Sequence, residues 1–162
     1  MSDATGGSGW TVQAIGFVSS PRREALDDDW GEVEATITLT SDYEADALLG
    51  LGGPDGFSHL EVIFLFHLVD PAGVDKGSRV PRGNPAWPAV GIFAQRAKNR
   101  PNRLGLATCE LVAVRGTEIR VRGLDAIDGT PVLDIKPYMA EFAPRSAVGQ
   151  PAWSHELMAD YY

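Results

Sequence analysis

The sequence predicts a mainly β protein: a small antiparallel β-barrel with short peripheral helices and a C-terminal helix. Three observations carry this. Short apolar or alternating runs recur with turn residues between them. Only two segments have helical character. The strand-helix alternation of a doubly wound nucleotide fold is absent. A chain of 162 residues with 44% hydrophobic content suits one domain with a real core. That domain is expected over 10–162, behind a small, polar, frayed tail at 1–9 that has neither the basic nor the apolar region of a signal peptide.

Trp10 to Val18 alternates imperfectly and ends at Ser19-Ser20-Pro21, which predicts a first strand closed by a turn. The acidic Asp27-Asp28-Asp29-Trp30-Gly31 is a loop. Val33, Ala35, Ile37 and Leu39 alternate strictly with polar residues, the pattern of a half-buried strand. Glu44 to Leu51 predicts a short helix capped by Ser41 or Asp42. Gly50, Gly52, Gly53 and Gly56 follow a helical stretch, not a strand, and contain Pro54, the wrong context for a phosphate-cradling loop. Leu60 to Phe66 is almost continuously apolar, which predicts a central strand buried on both faces, with His67 at its end.

Asp70 to Pro88 holds four prolines and three glycines and predicts a long loop. Strands follow at Val90–Gln95, Leu104–Val114 and Glu118–Leu124, the last two joined by the turn Arg115-Gly116-Thr117, and a short strand at Val132–Ile135. Pro151 to Tyr161 predicts a terminal helix, with Trp153, Leu157 and Tyr161 on one face.

Several function classes drop out. No apolar run approaches the roughly 20 residues of a membrane-spanning helix, so a soluble, cytoplasmic protein is expected. The single cysteine, Cys109, makes no internal disulfide and is expected to be inert core. His59, His67 and His155 do not fall at a metal-ligand spacing, and no metal is expected. A net charge of −8 argues against a polyanion partner, yet Lys76 to Arg122 holds ten basic residues against two acids. This segment is either a local anion site or a solvated face whose counter-charges come from the rest of the fold.

Three clusters carry candidate chemistry. Arg96-Ala-Lys-Asn-Arg100-Pro-Asn-Arg103 holds four cations in a loop stiffened by Pro101 and Asn102, a carboxylate or phosphate clamp or else a solubilising hairpin tip. Asp128-Gly129-Thr130-Pro131 is a tight turn, in which Gly129 tolerates positive φ and the Asp128 side chain can bond the following amides. Asp134, Lys136 and Tyr138 share one side of an extended segment, as a site or as an internal Asp134–Lys136 ion pair.

The stretches Gly91-Ile-Phe-Ala…Arg96…Arg100-Pro-Asn…Gly105 and Gly123-Leu-Asp-Ala-Ile-Asp-Gly-Thr-Pro-Val-Leu-Asp-Ile-Lys-Pro-Tyr138 resemble the TsaA-like family, also called TrmO. Ile15-Gly-Phe-Val-Ser-Ser-Pro21, Phe57-Ser-His59 and Phe64-Leu-Phe-His67 extend the resemblance over most of 11–142. It implies a β-barrel methyltransferase that binds S-adenosylmethionine without a glycine-rich loop, as a homodimer with the cofactor near the interface. The implied substrate is tRNA, methylated on threonylcarbamoyladenosine beside the anticodon. The cofactor site is then expected at Trp30, His67, Arg96, Leu106, Asp128, Gly129, Thr130 and Pro131. Arg100, Asn102 and Lys136 fall on the substrate side, with Asp134 and Tyr138 as the candidate catalytic pair and His67 as a further proton acceptor.

The chain departs from the family at Leu68, where relatives often have Gln, and at Arg103, where they often have Pro; it is also expected to lack the extra C-terminal domain of longer bacterial members. A small metabolite therefore stands as an alternative methyl acceptor. A non-catalytic cyclic-dinucleotide sensor is a third reading, on Arg96-xxx-Arg100 alone.

Overall fold

The computed structural model describes residues 8–162, so residues 1–7 of the expected tail lie outside the described residues. Eight strands occur in chain order: β1 Gly16–Ser19, β2 Glu34–Leu39, β3 His59–Leu65, β4 Ser78–Arg79, β5 Val90–Gly91, β6 Leu104–Arg115, β7 Glu118–Arg122 and β8 Pro131–Pro137. Six close into an antiparallel barrel in the order β1-β2-β7-β6-β3-β8, while β4 and β5 form a separate ribbon. The helix α1, Ala152–Leu157, is short, and the other helical pieces are single 3-10 turns. This is the expected mainly β barrel.

Alternation fills the barrel. Leu60, Val62 and Phe64 of β3 meet Ile37, Ala107, Cys109, Ile119, Val121 and Val132 in one core, each at most 4% exposed. Gly105 lies opposite Phe64 in the β3–β6 ladder, and a Cβ at this glycine would run into the Phe64 ring. Burial pushes the Cys109 thiol up to about 12, with a smaller push from Asp125, so it stays protonated and unreactive in the core.

Several boundaries differ from the expectation. Residues 10–15 form no strand, and Trp10 is 90% exposed. The helix expected over 44–51 is one 3-10 turn, Ala45–Leu48, preceded by Glu44 with no side-chain cap, because the glycines from Gly50 onward break it. β3 is buried on one face only; Glu61, Ile63 and Leu65 on the other face are half-buried. The strand expected over Val90–Gln95 stops at Gly91, and Ile92–Ala94 is a 3-10 turn that buries Ile92. The terminal helix ends at Leu157, and Pro151 precedes it as the cap.

The topology positions the site. In a closed antiparallel barrel, alternate connections leave from opposite ends. The connections β1–β2, β3–β6 and β7–β8 therefore all emerge at one end, which we call the upper end. The Gly50–Gly56 turn and the β6–β7 hairpin lie at the other. Replacing Gly105 by Ala should lower the unfolding free energy by about 1–3 kcal/mol, an overpacking cost, read as a lower urea midpoint at unchanged m-value.

Candidate functional site

The upper end carries a cleft of about 1390 Å³. Its walls come from all three upper connections and from the C-terminal segment. Trp30, His67, Arg96, Arg100, Asn102, Leu106 and Thr130 line it, joining residues that the sequence could place near one another only by resemblance.

The first connection is braced from within. The Arg22 guanidinium donates to the carbonyls of Asp28 and Asp29 at 2.8 and 2.6 Å and lies 4.5 Å over the Trp30 ring. Trp30 donates its indole N–H to Leu26 O at 3.2 Å and is 3% exposed, so its ring is fixed in the wall.

The Asp128–Pro131 turn is tied to the end of β1. Asp128 N donates to Arg22 O and Gly129 N to Val18 O, both at 2.7 Å. The Asp128 carboxylate accepts from Ser20 N at 3.0 Å, not from the amides that follow it in the chain. Gly129 has φ 77°, as its place in the turn requires, and a Cβ there would approach His67 Nε2 at 3.9 Å. Thr130, 2% exposed, donates its hydroxyl to Ile127 O at 2.7 Å. Of this turn Thr130 alone lines the cleft; Asp128, Gly129 and Pro131 stand behind the wall and hold it.

The arginine loop spends its donors on backbone carbonyls. Arg100 donates to Gln95 O at 2.9 Å, Arg103 to Val69 O at 2.9 Å and Arg96 to Leu106 O at 2.5 Å. Arg103 has φ 53°, a conformation closed to proline, whose ring holds φ near about −65°. The carbonyl bonds leave the charges uncancelled. Among the described residues Arg79, Arg82, Arg120 and Arg122 each pair with a carboxylate, whereas Arg96, Lys98, Arg100 and Arg103 pair with none. The two readings of the basic segment thus divide it: Arg79, Arg82, Arg120 and Arg122 on its flanks are neutralised, and Arg96, Lys98 and Arg100 at its centre make an electropositive rim.

Asp134, Lys136 and Tyr138 do not line the cleft. Asp134 and Lys136 form a half-exposed ion pair of 3.2 Å on the outside of β8, beside Ile63 and Glu61 of β3. Tyr138 follows the strand, its amide bonded to His59 O at 2.9 Å. Exposed Leu68 does line the cleft.

Sequence reasoning missed three cleft residues. Gln95, 8% exposed, ties the β4–β5 ribbon by donating to the carbonyls of Arg79 and Val90 at 3.1 and 2.8 Å. Asp125 and Tyr161 face each other across the wall: the Tyr161 hydroxyl donates to Asp125 Oδ2. Asp125 Oδ1 is buried with no partner among the described residues. The signal for Asp125 was an acid set between apolar Leu124 and Ala126, both buried. The sequence marks Tyr161 only as part of one face of the terminal helix. It reaches the cleft because Asp29 N and Trp30 N donate to the carbonyls of Asp160 and Tyr161 at 2.9 and 2.8 Å.

Burial, the largest cause, raises the Asp125 carboxyl above its ordinary range, against the Tyr161 hydrogen bond and Arg96, which lower it. Burial, and then Asp125, raise Tyr161, which stays a neutral donor. No grouping of three or more His, Cys, Asp or Glu that would hold a metal ion occurs among the described residues.

Fold and site together define a class: a closed antiparallel barrel with a ligand cleft at one end, walled by the crossover loops and rimmed by unneutralised cations. The sequence profile of the tRNA-methyltransferase O N-terminal domain matches residues 19–143, and the chain belongs to that family. It is 36% identical over 144 residues to the tRNA (adenine(37)-N6)-methyltransferase of Escherichia coli, covering 82% of this chain and 59% of that one. It is 33% identical over 146 residues to a probable S-adenosyl-L-methionine-binding protein of Pyrococcus abyssi, covering 83% of this chain and 71% of that one. The crystal structure of TrmO from Pseudomonas aeruginosa superposes with a TM-score of 0.70 at 29% identity, covering 87% of this chain and 61% of that one. The chain matches about a quarter of the length of the curated mouse and human tRNA (adenine(37)-N6)-methyltransferases.

The Asp125 geometry sets a pH dependence. A carboxyl whose folded pKa lies above its unfolded value contributes most to stability below the unfolded value, and that contribution is lost as pH rises through the folded value. The Asp125→Asn variant removes this titration. Its urea midpoint should gain on wild type as pH rises above about 4, where an unfolded Asp ionises, in parallel denaturation series across pH.

Proposed function

We propose that this chain is an S-adenosylmethionine-dependent methyltransferase whose acceptor is an adenine nitrogen in tRNA, the N6 of threonylcarbamoyladenosine beside the anticodon. The observation that carries the reading is the cleft in a chain of this family, lined by three cations, Arg96, Lys98 and Arg100, with no carboxylate partner among the described residues. It is further supported by relatives named as tRNA methyltransferases and as S-adenosylmethionine-binding proteins.

The residues present suit that cofactor. The His67 ring and Leu106 offer surface to a purine and a ribose, in a wall that the fixed indole of Trp30 backs. When bound, S-adenosylmethionine supplies a methyl group activated by positively charged sulfur. The chain's own task is alignment. Asp128 and Gly129 hold the Thr130 wall against β1, and Arg22 holds Trp30. Arg96, Lys98 and Arg100 attract phosphate or the acceptor's carboxylate, and Asn102 offers an exposed amide beside them.

Asp134, Lys136 and Tyr138 would meet a site only from a second copy, and assembly as a homodimer is part of the proposal. The outer face of the wall supports it: Leu106, Ile63 and Asp134 stand in one cross-strand row, next to Leu104 and Leu65. Leu104 and Leu106 are 41% and 46% exposed, apolar surface that a partner would cover. The chain is expected to act in the cytoplasm, where tRNA is found. No helix among the described residues is long and apolar enough to cross a membrane.

Calorimetry on cofactor-stripped protein should show S-adenosylmethionine binding, and labelled methyl should appear in tRNA lacking this modification, located by nucleoside mass spectrometry. No binding overturns the reading; binding without transfer to tRNA returns the small metabolite as acceptor. Lys98→Ala should lower the slope of log affinity against log salt for tRNA by about 1, the loss of one phosphate contact. Sedimentation should give twice the 17.4 kDa chain mass. Leu106→Glu should shift it toward the single chain.

A further inference from the structure

The methyl transfer proposed above replaces an N–H by an N–CH3, so a proton must leave the acceptor. Two carboxylates line the cleft, Asp27 and Asp125. Asp27 is exposed and lies in the cluster where Arg82 pairs with Asp28 at 2.8 Å and approaches Asp27 at 3.8 Å. Asp125 is different. One oxygen accepts from Tyr161, and the other is buried with no partner, an arrangement that costs stability until a donor arrives.

We propose that Asp125 Oδ1 accepts the proton of the methylated nitrogen, with Tyr161 as the positioning residue that fixes the carboxylate's rotation. The inference rests on the methyltransferase reading. As the acceptor nitrogen forms its bond to the methyl carbon, the carbon–sulfur bond breaks and its electron pair returns to sulfur, leaving a neutral thioether. The N–H electrons stay on nitrogen, and the proton ends on Oδ1. No metal or redox partner enters the balance.

The surroundings suit a carboxylate of this kind. Arg96 is the cation that faces it; Tyr161, Tyr162 and Cys109 are the other titratable groups around it, and all three are held neutral by burial. Asp125 is therefore a stronger base than a solvated aspartate while remaining ionised above its raised value. The C-terminal segment acquires a role through this contact. Tyr161 is held by the backbone bonds of Asp160 and Tyr161 to Asp29 and Trp30, so the wall that carries Trp30 also orients the base.

The test compares wild type, Asp125→Asn and Tyr161→Phe for S-adenosylmethionine affinity by calorimetry and for kcat on tRNA across pH. NMR titration of the Asp125 carboxyl in wild type and Tyr161→Phe accompanies it. Asp125→Asn should lose at least about 100-fold in kcat while its cofactor affinity stays within about threefold, which also shows that it is folded. In Tyr161→Phe the hydrogen bond that lowers the Asp125 pKa is gone, so both the acidic limb of kcat and the NMR midpoint should move to higher pH. Unchanged kcat in Asp125→Asn, or lost cofactor affinity with kcat at saturation retained, would overturn the assignment, as would an unmoved limb in Tyr161→Phe. A wild-type chain that binds no cofactor overturns the methyltransferase reading itself, and the assignment with it.

Discussion

Closure of the barrel is the constraint from which the rest follows. Six antiparallel strands leave no free edge, and they force connections of one parity to a common end. Three stretches distant in the chain, 20–33, 66–103 and 123–130, must therefore crowd around one opening. Apart from the β4–β5 ribbon and single 3-10 turns they are irregular, and each needs its backbone polar groups satisfied. They satisfy one another: Asp128 and Gly129 bond to Arg22 and Val18, Phe66 to Arg103, and Asp75 to Asn99. The cleft is the space this mutual bonding leaves.

The arginine loop shows how a basic segment can be both rigid and available. A guanidinium that donates to a carbonyl is held in place without losing its charge, whereas one paired to a carboxylate is held and neutralised. Arg96, Arg100 and Arg103 take the first course, and Arg82 and Arg122 the second. The loop is thus ordered around positive charge that the protein itself does not quench. Arg103, at its positive φ, both turns the chain and anchors it to Val69.

The barrel was largely legible because its walls are made of period-two patterns. Val33 to Leu39 and Glu118 to Leu124 read as strands since one face must enter the core. Trp10 to Ala14 continues the pattern but forms no strand, and pairing cannot be read from one segment. Ile92 misled for a related reason: its burial beneath a 3-10 turn leaves the same apolar mark as a strand. The candidate site was legible only through family resemblance. It brought out Trp30, His67 and Arg96, which no spacing relates. Asp125 and Tyr161 stayed hidden, since their contact spans 36 residues and depends on where the C-terminal segment docks.

The unquenched loop has a meaning at long range. The chain as a whole is negative by eight charges, so a polyanion approaching from most directions meets repulsion. The cleft rim is the exception. Such a charge distribution acts as a compass: it would turn any polyanion before contact and favour the orientation in which the polyanion's charge faces the opening. Acidity elsewhere on the surface then works as a filter, shortening nonproductive encounters and leaving the rim as the site at which a polyanion dwells.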